Sequence, residues 1–161
     1  MMRRIRTLLS FLSTPANGWL LARMAGWALV LPVLKRVVPL PALARFLWTY
    51  SPGHQPQPER EQNIARVARW IYGRRPASGR GHCLERGLLL YRLLSRTHSG
   101  VQLVVGMRRM SGGWRGHAWV LVDHQPFDEV VPASQEFSPL FILGPDGRVQ
   151  PVGTGQRAIQ V

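Results

Sequence analysis

At 161 residues the chain is long enough for one domain with a sizeable core, and 45% hydrophobic content with six tryptophans excludes a disordered polymer. A net charge of +13 implies an acidic counterpart, and all but one of the 21 basic residues are arginine, Lys35 being the exception. The single cysteine excludes an internal disulfide and a multi-cysteine zinc site, and a thiol that must stay reduced suits the cytoplasm.

The opening Met1-Met2-Arg3-Arg4-Ile5-Arg6 and the apolar run after it resemble a signal peptide superficially. Thr14-Pro15-Ala16-Asn17-Gly18 interrupts that run, and no small-residue cleavage site follows. Helices are expected over residues 4–13 and 18–37, broken at Thr14-Pro15. Their longest uncharged stretch, residues 24–34, is far short of the roughly 20 apolar residues that span a bilayer. Basic, Trp-bearing helices of this kind suit peripheral contact with an anionic membrane surface. A short helix is expected over residues 42–48, started by Pro41. Residues 51–58 carry three prolines and no periodicity, so they form a loop.

Residues 59–72 are amphipathic, with Ile64, Val67, Ala68, Ile71 and Tyr72 at helical spacing. Glu59 and Glu61 fall in the first turn, where acids suit the helix dipole. A Gly/Pro/Ser/Arg loop over residues 73–81 leads into a helix over 83–96. Its expected inner stripe is Leu84, Gly87, Leu88, Tyr91 and Leu94, with Glu85, Arg86, Arg92 and Arg96 outside it. The period then changes to two. Strands are expected over residues 101–106, 114–123 and 125–131, the last two joined by a tight Asp-His-Gln turn. A hairpin over residues 140–143 and 148–152 turns at Gly144-Pro145-Asp146-Gly147. Residues 154–161 carry no signal. Helices followed by an antiparallel meander make the class α+β. Residues 1–50 are expected as a helical docking or packing region, and residues 51–161 as the core that carries chemistry.

The chemistry concentrates in two segments, Gly81-His82-Cys83-Leu84-Glu85-Arg86-Gly87 and Gly116-His117-Ala118-Trp119-Val120-Leu121-Val122. Cys83 opens its helix, where unpaired N–H groups and partial positive charge stabilise a thiolate. His117 heads an alternating strand that puts His117, Trp119 and Leu121 on one face. An imidazole beside the thiol would stabilise the thiolate and carry the proton. A buried free cysteine and a hydrogen-bonded core histidine are the bland alternatives. A carboxylate should orient the ring and fix its tautomer. Asp128 and Asp123 are the candidates, with Glu129 behind them. Asp128 is preferred because its strand runs back beside the histidine, whereas Asp123 belongs in the turn. His82 points away from Cys83 on the helix, so no metal site is expected.

The run Cys83-Leu84-Glu85-Arg86-Gly87-Leu88-Leu89-Leu90-Tyr91-Arg92-Leu93-Leu94, then Val101 to Arg108, then His117-Ala118-Trp119-Val120-Leu121-Val122-Asp123, resembles the transglutaminase-like leader peptidases of lasso-peptide biosynthesis. The likeness covers about residues 59 to 131. Asp123-His124 stands where that family often has Asp-Gly. The resemblance implies a papain-like core with the nucleophile helix packed on an antiparallel sheet. It implies a Cys83, His117, Asp128 peptidase, with Asp123 as the alternative acid, that removes the leader from a ribosomally made precursor. The Cys83 backbone N–H would supply part of the oxyanion hole. It further implies a split system, with a separate leader-recognition protein and an ATP-using cyclase as partners. This chain has no Gly-x-x-x-x-Gly-Lys-Ser/Thr phosphate loop, so no cofactor is expected. Nor does it carry a helix-turn-helix, RNA-recognition or zinc-finger pattern, so no nucleic-acid partner is expected. The other readings are an acyltransferase or amidase acting on another modified peptide, and a catalytically silent peptide-binding module.

Overall fold

Prolines and glycines bound several of the elements. The computed structural model describes residues 15–73, 82–129 and 136–152. The helix expected over 4–13, most of the loop over 73–81, the far end of the strand over 125–131 and the tail over 154–161 lie outside those residues. The first helix among the described residues, α1, runs Pro15–Val37 and carries Pro32 inside it. Leu40 and Pro41 start α2 (Leu40–Leu47), and Pro58 starts α3 (Pro58–Tyr72). Gly73, at φ 76°, ends α3 in a conformation that glycine adopts without penalty. The helix that carries the cysteine, α4, runs Cys83–Leu94.

Strands β1 (Val101–Met110), β2 (Gly113–Val122), β3 (Gln125–Phe127), β4 (Ser138–Leu143) and β5 (Val149–Pro151) form one antiparallel sheet in the order β3-β2-β1-β4-β5. The expected meander therefore holds only from β1 to β3. The chain then crosses over, and β4 pairs with the free side of β1. β1 extends four residues further than periodicity indicated, while β2 keeps its expected length one residue earlier, and the two make a long hairpin from Val101↔Val122 to Met110↔Gly113. Asp123 and His124 turn β2 into β3 with φ 49° and 67°. Two consecutive left-handed residues are what a two-residue hairpin needs, and Asp and His tolerate that region better than most side chains.

The central element is α4. It packs on β1 and β2 and also touches α1, α2 and α3. Its burial runs almost all round: Leu88, Leu89, Leu90, Tyr91, Leu93 and Leu94 are all within the core. Each such leucine stabilises the fold by about 1.5–3 kcal/mol. The narrow stripe expected for this helix is therefore too narrow, because helices cover its outer side as well. Met24 and Leu31 of α1 and Leu43 and Leu47 of α2 join the same core. On the opposite face of the sheet Val104, Trp119 and Ile142 form a smaller cluster with Phe137 against it.

Tyr91 ties α4 to the β4–β5 connection. Its hydroxyl donates to the Gly144 carbonyl at 2.7 Å and accepts from the Gly147 N–H at 3.1 Å. Among the described residues no helix is long and apolar enough to cross a membrane.

Candidate active site

Cys83 is the first residue of α4, so its own N–H lies at the positive end of the helix dipole. The fold brings that helix start against β2. The Cys83 sulfur receives hydrogen bonds from the backbone at Ala118 and Leu84 and is hydrogen-bonded to the His117 side chain. Burial pushes the thiol pKa up, but the imidazole and those backbone groups outweigh it and hold the thiol below its ordinary value.

Position 117 on β2 pairs with Gly106 on β1. The ring of His117 lies nearly parallel to Trp119 at 6.0 Å and packs on Phe137 at 5.0 Å. A side chain at position 106 would collide with the Trp119 ring and the Ser138 carbonyl, so Gly106 leaves the room in which these aromatics shelve the imidazole. Burial alone would lower the His117 pKa. The thiol and the Glu129 carboxylate reverse this and raise it to about 9. A half-buried imidazole with anions on two sides favours the imidazolium form.

The carboxylate that the structure brings to this ring is Glu129, with Oε2 3.6 Å from His117 Nε2. That is an ion-pair distance, longer than a close hydrogen bond. Asp128, the residue preferred from the sequence, turns elsewhere. Its carboxylate is held by Arg69 of α3 and by Arg86 of α4, the latter at 2.6 Å, and Arg86 also reaches the Asp128 carbonyl at 2.9 Å. Asp123 stays in its turn, with Oδ2 3.6 Å from His98 Nδ1. The reason is backbone handedness. Asp128 has φ 58°, which swings the chain out of strand geometry just before Glu129. The next side chain then points where an extended strand would have sent its neighbour.

Arg86 was expected outside the helix stripe. It lies one turn after Cys83 and reaches both acids, with Nη1 3.5 Å from Glu129 Oε1. The same arginine thus grips the residue that faces the histidine and the left-handed residue before it. Two part-buried ion pairs at Asp128 stabilise a conformation that would otherwise cost on the order of 1–2 kcal/mol. The clue in the sequence was the Asp-Glu pair in a chain with only eight acids, facing arginines on two helices.

Glu85 also departs from expectation. It was placed outside the stripe, yet it is 3% exposed and pairs with Lys35 of α1 at 2.6 Å. His82 Nδ1 lies 3.6 Å from the same carboxylate oxygen. Burial pushes the Glu85 pKa up, but Lys35 and the backbone bring it below the usual carboxylate range. Tyr72 is packed nearby, and burial together with Glu85 raises its hydroxyl to about 12, so it stays neutral. Among the described residues no group of three histidines, cysteines or acids is placed to hold a metal ion.

A thiol at a helix start, bonded to an imidazole that faces a carboxylate, can attack a carbonyl and form a covalent acyl intermediate. A family model described as the transglutaminase-like superfamily matches residues 21–142. No curated protein and no solved structure matches the chain significantly.

Proposed function

The chain belongs to the transglutaminase-like superfamily, and we propose that it is a cysteine peptidase that removes the leader from a lasso-peptide precursor. Membership suggests cysteine-dependent hydrolase or acyltransferase activity. The observation that carries the chemistry is the line from the Cys83 thiol to His117 and on to Glu129. The substrate class rests on the likeness of the Cys83 helix and the His117 strand to lasso leader peptidases.

Cys83 attacks the scissile carbonyl as thiolate, and the Cys83 N–H donates to the oxyanion. Imidazolium His117 gives its proton to the leaving amine, which frees the C-terminal fragment. The leader remains as a thioester. His117 then takes a proton from water, whose oxygen attacks the thioester carbonyl and releases the leader acid. With Nε2 turned to Glu129, Nδ1 is the ring nitrogen left for the thiol. Glu129 stabilises the imidazolium and holds its tautomer, and Arg86 holds Glu129. In this reading a separate recognition protein delivers the leader. A cyclase that uses ATP closes the ring, and the helices α1 and α2 offer a docking surface in the cytoplasm or at a membrane face.

The test is mass spectrometry of a candidate precursor incubated with the protein, its recognition partner and the cyclase. Wild type should release the leader at one position, and Cys83→Ala and His117→Ala should release none. Glu129→Gln should lose about 10²–10⁴-fold in kcat, as expected for the group that orients a catalytic histidine. If cleavage survives Cys83→Ala, or if the acyl group passes only to added amines and never to water, the peptidase reading fails.

A further inference from the structure

At the end of α4 remote from Cys83 lies a cavity of about 760 Å³ between the first turns of α1 and α3. Arg96, just past α4, stands 13 residues from Cys83, or about 20 Å at ~1.5 Å per residue. Arg23 of α1, Arg60 of α3 and Arg96 all line the cavity, beside the exposed ring of Trp19 and Pro56. All three arginines are half-buried. Burial, Arg96 and Arg60 together lower the Arg23 pKa, which marks like charges crowded at a site with reduced solvent. Arg92, stacked on Trp27 at 4.2 Å, adds a fourth cation behind them.

Such a cluster normally draws in an acidic side chain of its own protein. Here the acids are engaged elsewhere. All eight carboxylate side chains of the chain lie among the described residues. Glu61, Glu85, Asp123, Asp128, Glu129 and Glu136 each face a basic side chain outside the cluster, Glu61 and Asp123 sharing His98. Asp146 sits in the β4–β5 connection. Glu59 is on the cavity wall but makes no ion pair with the three arginines.

We propose that this cavity is a docking site for an acidic peptide segment, with Arg23, Arg60 and Arg96 taking its carboxylates and Trp19 and Pro56 its backbone or apolar side chains. Guanidinium groups match carboxylates in paired hydrogen bonds, and a recessed pocket with an aromatic rim admits a peptide better than a flat bilayer. The site is separate from the thiol and needs no reading of its chemistry.

The experiment is fluorescence anisotropy of a labelled eight-residue Glu-Ser repeat against the full chain, with a Gln-Ser repeat and phosphatidylserine vesicles as comparison arms. The Glu-Ser peptide should bind, and the Gln-Ser peptide should not. Arg23→Gln and Arg96→Gln should each weaken binding about tenfold, as loss of one charge-assisted contact does. Arg109→Gln, exposed on the β1–β2 hairpin, should change it less than twofold. Equal weakening by Arg109→Gln would reduce the effect to net charge and overturn the proposal. So would binding confined to the vesicles. A thermal melt guards against misfolding. Without peptide, Arg60→Gln should melt at or above the wild-type temperature, because it relieves repulsion. A lower melting temperature would show that the arginines serve the fold instead, and would also overturn it.

Discussion

At the scale of single residues, Cys83 and His117 depend on each other for their ionisation. The imidazole holds the thiol below its ordinary pKa, and the thiol and Glu129 raise the imidazole to about 9. Between those limits the pair is thiolate and imidazolium. Alkylation of Cys83 by iodoacetamide should therefore begin at a lower pH than that of a free cysteine, near 8.5. On the proposed mechanism, turnover should fall again as pH rises through about 9, where His117 loses the proton that a leaving amine would take. In His117→Ala the alkylation midpoint should move up, because only the Ala118 and Leu84 backbone groups then oppose burial. An unchanged midpoint would mean that the ring does not set the thiol. The sign for stability follows from the same values. The His117 contribution is complete below its unfolded pKa near 6.5 and is lost as pH rises through about 9. The Cys83 contribution, from a lowered pKa, is lost as pH falls through the folded value.

At the scale of elements, the turn at residues 144–147 locks α4 to α2. Gly147 has φ 64°, and any Cβ there would collide with the backbone of Ala44 and Arg45. Its N–H also donates to the buried Tyr91 hydroxyl. Gly147→Ala should destabilise the protein by about 2–4 kcal/mol, combining the left-handed penalty, the clash and the weakened hydrogen bond. Urea denaturation measures it. A loss below about 1 kcal/mol would show that the turn lifts off α2 freely. Tyr91 itself stays protonated, because burial raises its hydroxyl well above the ordinary value.

At the scale of the whole molecule, one ion pair joins α1 to the start of α4, the helix that carries Cys83. Lys35, the only lysine, faces Glu85 at 2.6 Å, and the Glu85 side chain is 4% exposed. Removing one partner leaves a buried charge, a loss of about 3–5 kcal/mol for a fully buried pair. Lys35 is 29% exposed, so Lys35→Met should cost less, about 1–3 kcal/mol near neutral pH. Glu85 has a lowered pKa in the fold, so the wild-type pair stabilises above its unfolded pKa and is lost as pH falls through the folded one. The cost of Lys35→Met should accordingly shrink in acid, and melts at acid and neutral pH would show it. A pH-independent cost would assign the effect to packing of the lysine stem instead.

What the sequence determined by itself is local. The cysteine at a helix start, the histidine on an alternating strand and the helices-then-strands order follow from capping residues, turn residues and hydrophobic period. Each of these acts over a few residues. What only the tertiary structure decided depends on direction in space. The left-handed backbone at Asp128 turns Glu129 toward His117 and leaves Asp128 to Arg69 and Arg86. The crossover of β4 onto β1 and the burial of Glu85 under Lys35 likewise join segments far apart in the chain. Periodicity says which side chains share a face. Only the packed fold says which charge from another element stands opposite, and in this site that decides which carboxylate meets the imidazole.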